Sequence, residues 1–252
     1  MAHQVDYEII GNEMQLVVIE LDPQEAVRAE AGAMMMMEEG IEMQTNMDGG
    51  IFGGLKRMIT SESFFITSFM NNGQGKSHVA FGSPYPGKII ALDLKELGGT
   101  FICQKDSFLC AAAGIDIDVA FTKRIGAGLF GGEGFILQKL SGDGLAFVHA
   151  GGTIVPKELK QGERLRVDTG CIVAMAPTID YDIQLVGGFK NVLFGGEGLF
   201  LATLTGPGFV YLQSLPLSRL ADRIITAARS GKKDQSRGAS GMDVLGNILG
   251  GG

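Results

Sequence analysis

Two stretches of this sequence decide its fold: FGGEGFILQKLSGDGLAFVHA at residues 130–150 and FGGEGLFLATLTGPGFVYLQS at residues 194–214. They align without a gap. In each, an apolar run with alternating side chains leads into a glycine-rich turn, Ser141–Gly144 or Thr205–Gly208, and then into a second apolar run. Short alternating runs bounded by turn residues are typical of β-hairpins, because glycine reaches positive φ without a steric cost. Each stretch therefore predicts a pair of strands.

A third, looser copy of the same pattern lies earlier in the chain. Phe52–Gly54 repeats the opening tripeptide, an insertion LKRMITS follows, and Glu62–Thr67 takes the place of the next segment. Each copy is preceded by a strand-like run, which reads AMMMM, FLCAAA or CIVAMA. Such self-similarity indicates an internally repeated fold. The sequence therefore predicts one β body over residues 1–216, made of three units at about 5–86, 87–152 and 153–216.

The composition supports an all-β body. Hydrophobic residues make up 45% of the 252 residues and charged residues 19%, which is enough apolar material for a core. Glycine is unusually frequent, with 39 residues, about twice the typical share of ~7%. Because these glycines are spread among Val, Ile, Leu and Phe without a regular period, they indicate many tight turns between short strands.

Charge and cysteine content limit the partners and the compartment. The net charge of −7 argues against nucleic acid, whose binding depends on Lys and Arg. Three cysteines at wide spacing form no disulfide framework, and the opening MAHQVDYEII lacks the features of a secretory signal. No apolar run is long enough for a transmembrane segment. We therefore expect a cytoplasmic protein.

One segment has the period of a helix instead of a strand. In LSRLADRIITAAR the apolar residues recur three and four positions apart, with Arg, Asp and Thr on the other face. Pro216 suits the first turn and Gly231 a stop, so the sequence predicts an amphipathic helix over 217–231 and a flexible Gly/Ser-rich tail over 232–252. We expect the apolar stripe to pack on the body or on a neighbouring subunit; the alternative is peripheral contact with a membrane.

Three glutamates occupy the same place in the three units, namely Glu62, Glu133 and Glu197. A threefold arrangement could bring them together as a metal site. The simpler interpretation is a turn glutamate that accepts hydrogen bonds from nearby backbone N–H groups and is needed once in each unit. No other carboxylate, His or Cys recurs with them to complete a ligand shell. We therefore predict no catalytic residue and no cofactor.

Two further patterns have a structural explanation. Gly126–Gly131 matches the G-x-G-x-x-G fingerprint, but the next segment, FILQKL, reads as a strand, whereas dinucleotide binding needs a helix there. A turn is the better interpretation. The methionine-rich run Met34–Met37 is predicted to be a strand that fills an irregular core, with an adaptable binding surface as the alternative.

The isolated histidines and cysteines give no sign of catalysis. Because the histidines do not recur between units, we expect them to lie on the surface or to be hydrogen-bonded in the core. The cysteines lie within apolar runs and are predicted to be buried, unreactive side chains. The residues concerned are His3, His78, His149, Cys103, Cys110 and Cys171.

The body over about residues 5–216 resembles a family of uncharacterised bacterial and archaeal proteins related to the altered-inheritance-of-mitochondria proteins of eukaryotes. The resemblance rests on YEIIGNEMQLVVIELDPQEAVRAEAGAMM at 7–35, on FGGLKRMITSESFFITSF at 52–69 and on the two FGGEG repeats. It implies three tandem TRAP-like units, similar to the subunit of the tryptophan-RNA-binding attenuation protein, each a short double-stranded β-helix. It also implies a pseudo-threefold arrangement and oligomers, and no enzyme activity. The attenuation protein's ligands are not implied, because no binding residues match.

Two functions of different classes follow. The first is a non-catalytic homo-oligomeric scaffold, a ring or a trimer, that organises an unidentified protein partner near a membrane; unpaired sheet edges need cover, and the mitochondrial relatives implied by the resemblance are tied to inner-membrane organisation. The second is a module that binds a small ligand or a metal ion, because β barrels often enclose a cavity.

Overall fold

The computed structural model describes residues 1–30, 32–44, 66–123, 135–186 and 199–228. These residues form nineteen β-strands, two short 3-10 helices and one α-helix near the C-terminus. The prediction of an all-β protein with a single C-terminal helix is confirmed.

The strands are short and follow one another closely along the chain. The first seven are β1 (Asp6–Ile10), β2 (Leu16–Leu21), β3 (Ala26–Glu30), β4 (Met34–Met37), β5 (Ile41–Gln44), β6 (Ile66–Asn71) and β7 (Ser77–Gly82). The next six are β8 (Gly87–Asp93), β9 (Thr100–Gln104), β10 (Phe108–Ala112), β11 (Asp116–Lys123), β12 (Phe135–Ser141) and β13 (Leu145–Gly151). The last six are β14 (Ile154–Leu159), β15 (Arg164–Asp168), β16 (Ile172–Met175), β17 (Asp180–Val186), β18 (Leu199–Thr205) and β19 (Gly208–Gln213).

Strand pairing follows the same order in each third of the chain. Each third contains two sets of three antiparallel strands. In the first, second and last thirds, the first set has the order β2-β7-β4, β8-β13-β10 and β14-β19-β16. The second set has the order β5-β6-β3, β11-β12-β9 and β17-β18-β15. Strand β1 is added at the outer edge of β2. The strands fall within the three predicted intervals. The pseudo-threefold arrangement and the likeness to TRAP units stay predictions.

Two junctions join neighbouring thirds into continuous sheets. Strand β3 pairs with β10, and β9 pairs with β16, so that each junction completes a sheet of six strands. The 3-10 helices Lys105–Ser107 and Thr169–Cys171 connect β9 to β10 and β15 to β16. The two remaining sheets, β1-β2-β7-β4 and β15-β18-β17, stay separate.

The predicted turns are confirmed, but the alternation of buried and exposed side chains is only local. Ser141–Gly144 connects β12 to β13, and Thr205–Gly208 connects β18 to β19. The two strands beside each turn lie in different sheets, so the prediction that each stretch forms a β-hairpin is wrong. Strand β2 alternates strictly, as expected for a strand with one face on the core. In β13, however, all residues after Leu145 are buried. This strand lies between β10 and β8 in a six-stranded sheet and is covered on both faces.

Three apolar clusters form the core, and each of the first two spans a junction. The first combines residues of β2, β3 and β7 with Leu109, Cys110 and Phe147 from the second third. The second combines β9, β10 and β13 with Val173 and Ala174 of β16. The third lies around β15 to β19, with Ile102, Phe135 and Leu137 added. No described residue of β1 to β7 belongs to this third cluster.

The C-terminal helix, which we call α1, covers residues 217–228. It follows Pro216 directly, as predicted, and the amide of Leu220 donates to the carbonyl of Pro216. The expectation that its apolar stripe packs on the body is wrong for three residues, Leu217, Ile224 and Ile225, which are exposed. Packing on a neighbouring subunit stays a prediction. The predicted last turn of the helix and the tail over 232–252 lie outside the described residues.

Candidate functional site

The predicted carboxylate site cannot be located, because Glu62, Glu133 and Glu197 all lie outside the described residues. The same holds for the glycine-rich run Gly126–Gly131 and for the three Phe-Gly-Gly tripeptides. Within the described ranges there is no group of three or more His, Cys, Asp or Glu side chains that could hold a metal ion. The surfaces and edges of the sheets are therefore the candidate sites in the described residues.

Two strands lack the junction partner that their equivalents have. Strand β10 pairs with β3, and β16 pairs with β9, but β4, which occupies the same place in the first third, pairs with β7 alone among the described strands. In the last third, β15 has the place of β3 and β9, and its one partner among the described strands is β18. Within the described residues, both strands therefore present a row of unpaired backbone N–H and C=O groups, which can pair with another strand.

Burial differs sharply between the free strand β4 and its paired equivalents. All residues of β10 and of β16 are buried. In β4, by contrast, Met35, Met36 and Met37 are exposed by 55%, 44% and 42%. The expectation that this methionine run fills a core is therefore wrong, because no junction covers the strand. Flexible, polarisable methionines are well suited to an adaptable contact surface.

Strand β15 is likewise more exposed than its paired equivalent. In its equivalent β9 the last four residues are buried. In β15 two arginines, Arg164 and Arg166, are exposed, and only Val167 is fully buried. The exposed side of β15 is therefore basic. The run that follows β4 is acidic, because Glu38 and Glu39 come directly after Met37 and are both exposed.

An ionic network supports the sheet beside β4. The imidazole of His78 lies between two carboxylates, with Nδ1 3.0 Å from Glu38 and Nε2 3.3 Å from Glu20. The hydrogen bond to Glu38 is the main reason why the pKa of His78 is raised, and the same bond lowers the pKa of Glu38. Lys76 also pairs with Glu20 and lowers its pKa. These partly exposed pairs hold the acidic end of β4 in place.

Helix α1 starts beside the C-terminal end of β15. The carboxylate of Asp168 accepts a hydrogen bond from the amide of Gly170 at 3.0 Å and pairs with the guanidinium of Arg219 at 2.6 Å. This contact fixes the first turn of the helix next to the open strand. Both α1 and β4 carry several exposed large apolar side chains.

A buried polar position recurs at the end of β13 and β19. Gln213 accepts a hydrogen bond from the amide of Gly151 at 2.7 Å and donates to the carbonyl of Gly170 at 2.8 Å. His149 has the equivalent place in β13, is 97% buried, and packs edge-on against Tyr85 with ring centroids 4.6 Å apart. Neither of its ring nitrogens has a hydrogen-bond partner among the described residues. Burial lowers its pKa to about 4.

The outcome for His149 corrects the prediction that each histidine is exposed or hydrogen-bonded in the core. The other two behave as expected, because His78 is partly exposed and His3 accepts a hydrogen bond from the amide of Ala26. The prediction for the cysteines is confirmed at Cys103 and Cys110, where burial raises the thiol pKa well above its usual range.

The remaining cysteine and two described grooves are partly open to solvent. Cys171 is only partly buried, and burial raises its pKa. An open groove of about 450 Å³ runs between α1 and Leu215, and a second of about 470 Å³ lies near the N-terminus. In the part of the chain that the structure describes, no helix is long and apolar enough to cross a membrane.

Sequence reasoning missed the two open edges, although a signal was present. At the place where the second and third units have buried runs, FLCAA and IVAM, the first has four methionines followed by two glutamates. Likewise, β15 carries two arginines where β9 has Thr and Ile. These departures from the pattern of the other units mark the positions where the internal junction is not formed.

Comparisons with known proteins agree with this architecture. The model of the family described as "Mitochondrial biogenesis AIM24" matches residues 7–215. An uncharacterized protein of Streptococcus pyogenes serotype M6 is 31% identical over 222 residues, which cover 84% of this chain and 87% of the relative. A crystal structure of a Streptococcus pyogenes protein, a structural genomics target, has a TM-score of 0.73 and 28% identity over 89% of this chain and the whole of that one.

Proposed function

The chain belongs to the family described as "Mitochondrial biogenesis AIM24", and we propose that it is a non-catalytic assembly protein whose copies associate into a homo-oligomer that serves as a scaffold. The proposal has three elements: the oligomer, the absence of catalysis, and a position near a membrane surface. Each rests on a different observation and can be tested separately.

The observation that carries the oligomer is the pair of open strands. Strands β4 and β15 expose backbone groups and side chains at the places where their equivalents are buried against a partner strand. Natural proteins cover or blunt such edges, because a free edge is a template for pairing with another chain. The chain has neither a proline nor a lysine in β4 or β15. Covering these edges by association is the simplest way to complete the sheets.

The proposal of a non-catalytic role rests on the chemistry of the buried polar groups. The thiols of Cys103 and Cys110 are buried with raised pKa, so they are poor nucleophiles. His149 is buried with its pKa lowered to about 4, and no carboxylate contacts its ring in the part of the chain that the structure describes. A general base needs a partner group and access to substrate. The described residues with unusual pKa values therefore support a structural role.

The position near a membrane rests on helix α1. Its exposed apolar residues Leu217, Ile224 and Ile225 form one face, and the other face carries Arg223, a pattern suited to a surface of anionic lipid. The unpaired cysteines favour a reducing compartment such as the cytoplasm. A short helix without aromatic anchors binds lipid weakly. In an oligomer, however, several such helices would act together, and their combined affinity would be far higher.

The experiment that tests the oligomer is size-exclusion chromatography with light scattering. We expect a particle of at least two chains at micromolar concentration, whose mass falls when the concentration is lowered. A mass of 26.7 kDa at every concentration from 1 to about 100 μM would refute the proposal. Deletion of residues 217–252 is the matched control, because the open strands remain. That variant should keep the number of chains in the oligomer and lose sedimentation with anionic vesicles.

The second candidate, binding of a small ligand or a metal ion, has weaker support. The one feature in its favour is the unpartnered, buried imidazole of His149 beside Tyr85. Metabolites and divalent cations that bind the folded protein would raise its melting temperature by mass action. A thermal-shift screen in which one compound raises the melting temperature of the natural protein, but not of His149→Phe, would favour this function.

A further inference from the structure

We propose that β4 of one copy pairs antiparallel with β15 of a second copy in one defined register, with Met36 opposite Val167 and Met37 opposite Arg166. This inference rests on the proposed oligomer and names its interface. Because the two strands are different surfaces, the contact is heterologous: after one contact, the first copy still has a free β15 and the second copy a free β4. Copies therefore join head to tail, into a closed ring or an open chain.

The register on the β4 side follows from a bulge that all three equivalent strands share. In β10, β16 and β4 the pairing with the neighbouring strand shifts at the second residue. The first residue after the shift is Cys110, Ala174 or Met36, so these three residues are equivalent. At the two formed junctions, Cys110 lies opposite Ala29 and Ala174 lies opposite Cys103.

The register on the β15 side follows from the 3-10 helices. Cys103 lies two residues before the helix Lys105–Ser107, and Val167 lies two residues before the helix Thr169–Cys171. Val167 is therefore the equivalent of Cys103. Placing Met36 opposite Val167 reproduces the pairing of the formed junctions. Because strands run antiparallel there, Met37 then faces Arg166 and Glu39 faces Arg164.

The side chains at the proposed contact are complementary. At the formed junction between β3 and β10, Ala113 has the place of Glu39 and Ala26 has the place of Arg164. There the amide of Ala113 donates a hydrogen bond to the carbonyl of Ala26. A glutamate opposite an arginine on adjacent strands is a favourable cross-strand pair, whereas like charges are not. The long apolar stems of the methionines and arginines can cover one another as the strands pair.

Within the part of the chain that the structure describes, the two open strands are not joined to each other. No ladder connects β4 to β15, and the cluster of apolar residues around β15 includes no residue of β1 to β7 among those described. Both strands remain exposed as a result. In a second copy, β15 can pair with β4 of the first copy in the direction and register of the two internal junctions.

Disulfide trapping tests the register directly. We would prepare Met37→Cys and Arg166→Cys as separate proteins, both with Cys171→Ser to remove the partly exposed native thiol, and oxidise them alone and mixed. Directly opposite residues on antiparallel strands have the Cα separation that a disulfide needs. We expect a covalent dimer in the mixture and less than about a tenth as much with either protein alone. Met35→Cys mixed with Arg166→Cys is the matched control, exposed to a similar degree but out of register, and should not cross-link.

A charge exchange provides the second measurement. Arg164→Glu places two glutamates opposite each other and should weaken self-association about two- to thirtyfold, since a favourable cross-strand charge pair is lost and a repulsive pair of similar size replaces it. Adding Glu39→Arg to the same chain restores the opposite charges and should return the association constant to within about twofold of the natural one.

The outcomes separate this inference from the proposed function. If the natural protein is a monomer by light scattering, both fail. If it is an oligomer but the mixed cysteine proteins do not cross-link and the charge exchange has no effect, the oligomer uses another surface and only this inference fails. If a protein with both Met37→Cys and Arg166→Cys forms its disulfide within one chain at low concentration, the junction closes internally and the contact between copies is refuted.

Discussion

Acid should destabilise this protein through one buried histidine. His149 lies in β13 with its side chain 97% buried, and Gly87 approaches so closely that a Cβ atom there would lie 2.4 Å from Nε2. Charging the ring requires burying an imidazolium, and the backbone of Tyr85 offsets only part of that cost. Burial accordingly lowers the pKa of His149 to about 4 in the folded state, against about 6.5 in the unfolded chain.

The difference between the folded-state and unfolded-state pKa of His149 sets the direction and the size of the effect of pH on stability. Between pH 6.5 and pH 4 the unfolded state binds a proton at His149 and the folded state does not, so acid favours unfolding. The stabilisation is complete above about pH 6.5 and is lost as the pH falls towards 4. With these two pKa values, the free energy of unfolding at pH 5.0 is lower than at pH 7.5 by up to about 2 kcal/mol through this residue alone.

The assay compares the natural protein with His149→Phe by urea denaturation at pH 7.5, 6.0 and 5.0, at one protein concentration, with circular dichroism as the signal. Phenylalanine keeps an aromatic ring beside Tyr85 and cannot titrate. The natural protein should lose about 2 kcal/mol more than the variant between pH 7.5 and pH 5.0.

The control is His78→Gln. Because the pKa of His78 is raised by its carboxylate partners, its contribution is present below about pH 6.5 and is lost as the pH rises. Removing it cannot reduce the loss of stability in acid. Equal losses for the natural protein and for His149→Phe would show that the reasoning about His149 is wrong.

Three further predictions concern the interior. Gln213→Leu leaves two buried backbone groups without partners and should lower the free energy of unfolding by about 2–4 kcal/mol, measured by urea denaturation at pH 7.5; a change below about 0.5 kcal/mol would mean that water replaces the amide. Gly87→Ala introduces a Cβ only 2.1 Å from a backbone oxygen and should cost about 1–3 kcal/mol, seen as a lower melting temperature. A thiol reagent should modify at most Cys171 in the folded protein, and also Cys103 and Cys110 after denaturation; rapid modification of all three under native conditions would contradict their burial.

The strands and the turns between them could be predicted from the sequence because their signals are local. The turn segments Ser141–Gly144 and Thr205–Gly208 connect successive strands, although the two strands beside each turn lie in different sheets. Alternating side chains and glycine turns mark each strand and its end within a few residues. Helix α1 was predictable for the same reason, since its apolar spacing is complete within one segment.

The junctions could not be predicted, because they join strands far apart in the chain. Strand β3 meets β10 only after some eighty residues, and nothing in either run specifies the other as its partner. The repeat made three equivalent units visible but did not show whether each junction forms. For that reason Met34–Met37 was interpreted as a core strand, although three of its four residues are exposed.

Burial on both faces also hides polar positions from sequence reasoning. A histidine in an alternating strand such as β13 is expected on the polar, solvent-facing side. The neighbours β8 and β10 and the layer formed by Tyr85 cover that side, so His149 is buried. The buried amide of Gln213 makes two hydrogen bonds to backbone groups, whereas the ring nitrogens of His149 have no hydrogen-bond partner among the described residues. Only the tertiary structure distinguishes these two outcomes.

Divergence between copies of a repeat is itself evidence about function. The three units share their pairing order, so a residue type that a formed junction requires should be kept wherever a junction forms. It is kept in β10 and β16, which are apolar and buried, and it is replaced in β4 by exposed methionines and in β15 by exposed arginines. If both strands merely lacked a partner, charged or proline residues that block pairing would be expected in both, yet only β15 carries charged residues and β4 has none. Complementary surfaces of opposite charge are instead what a contact between two copies requires.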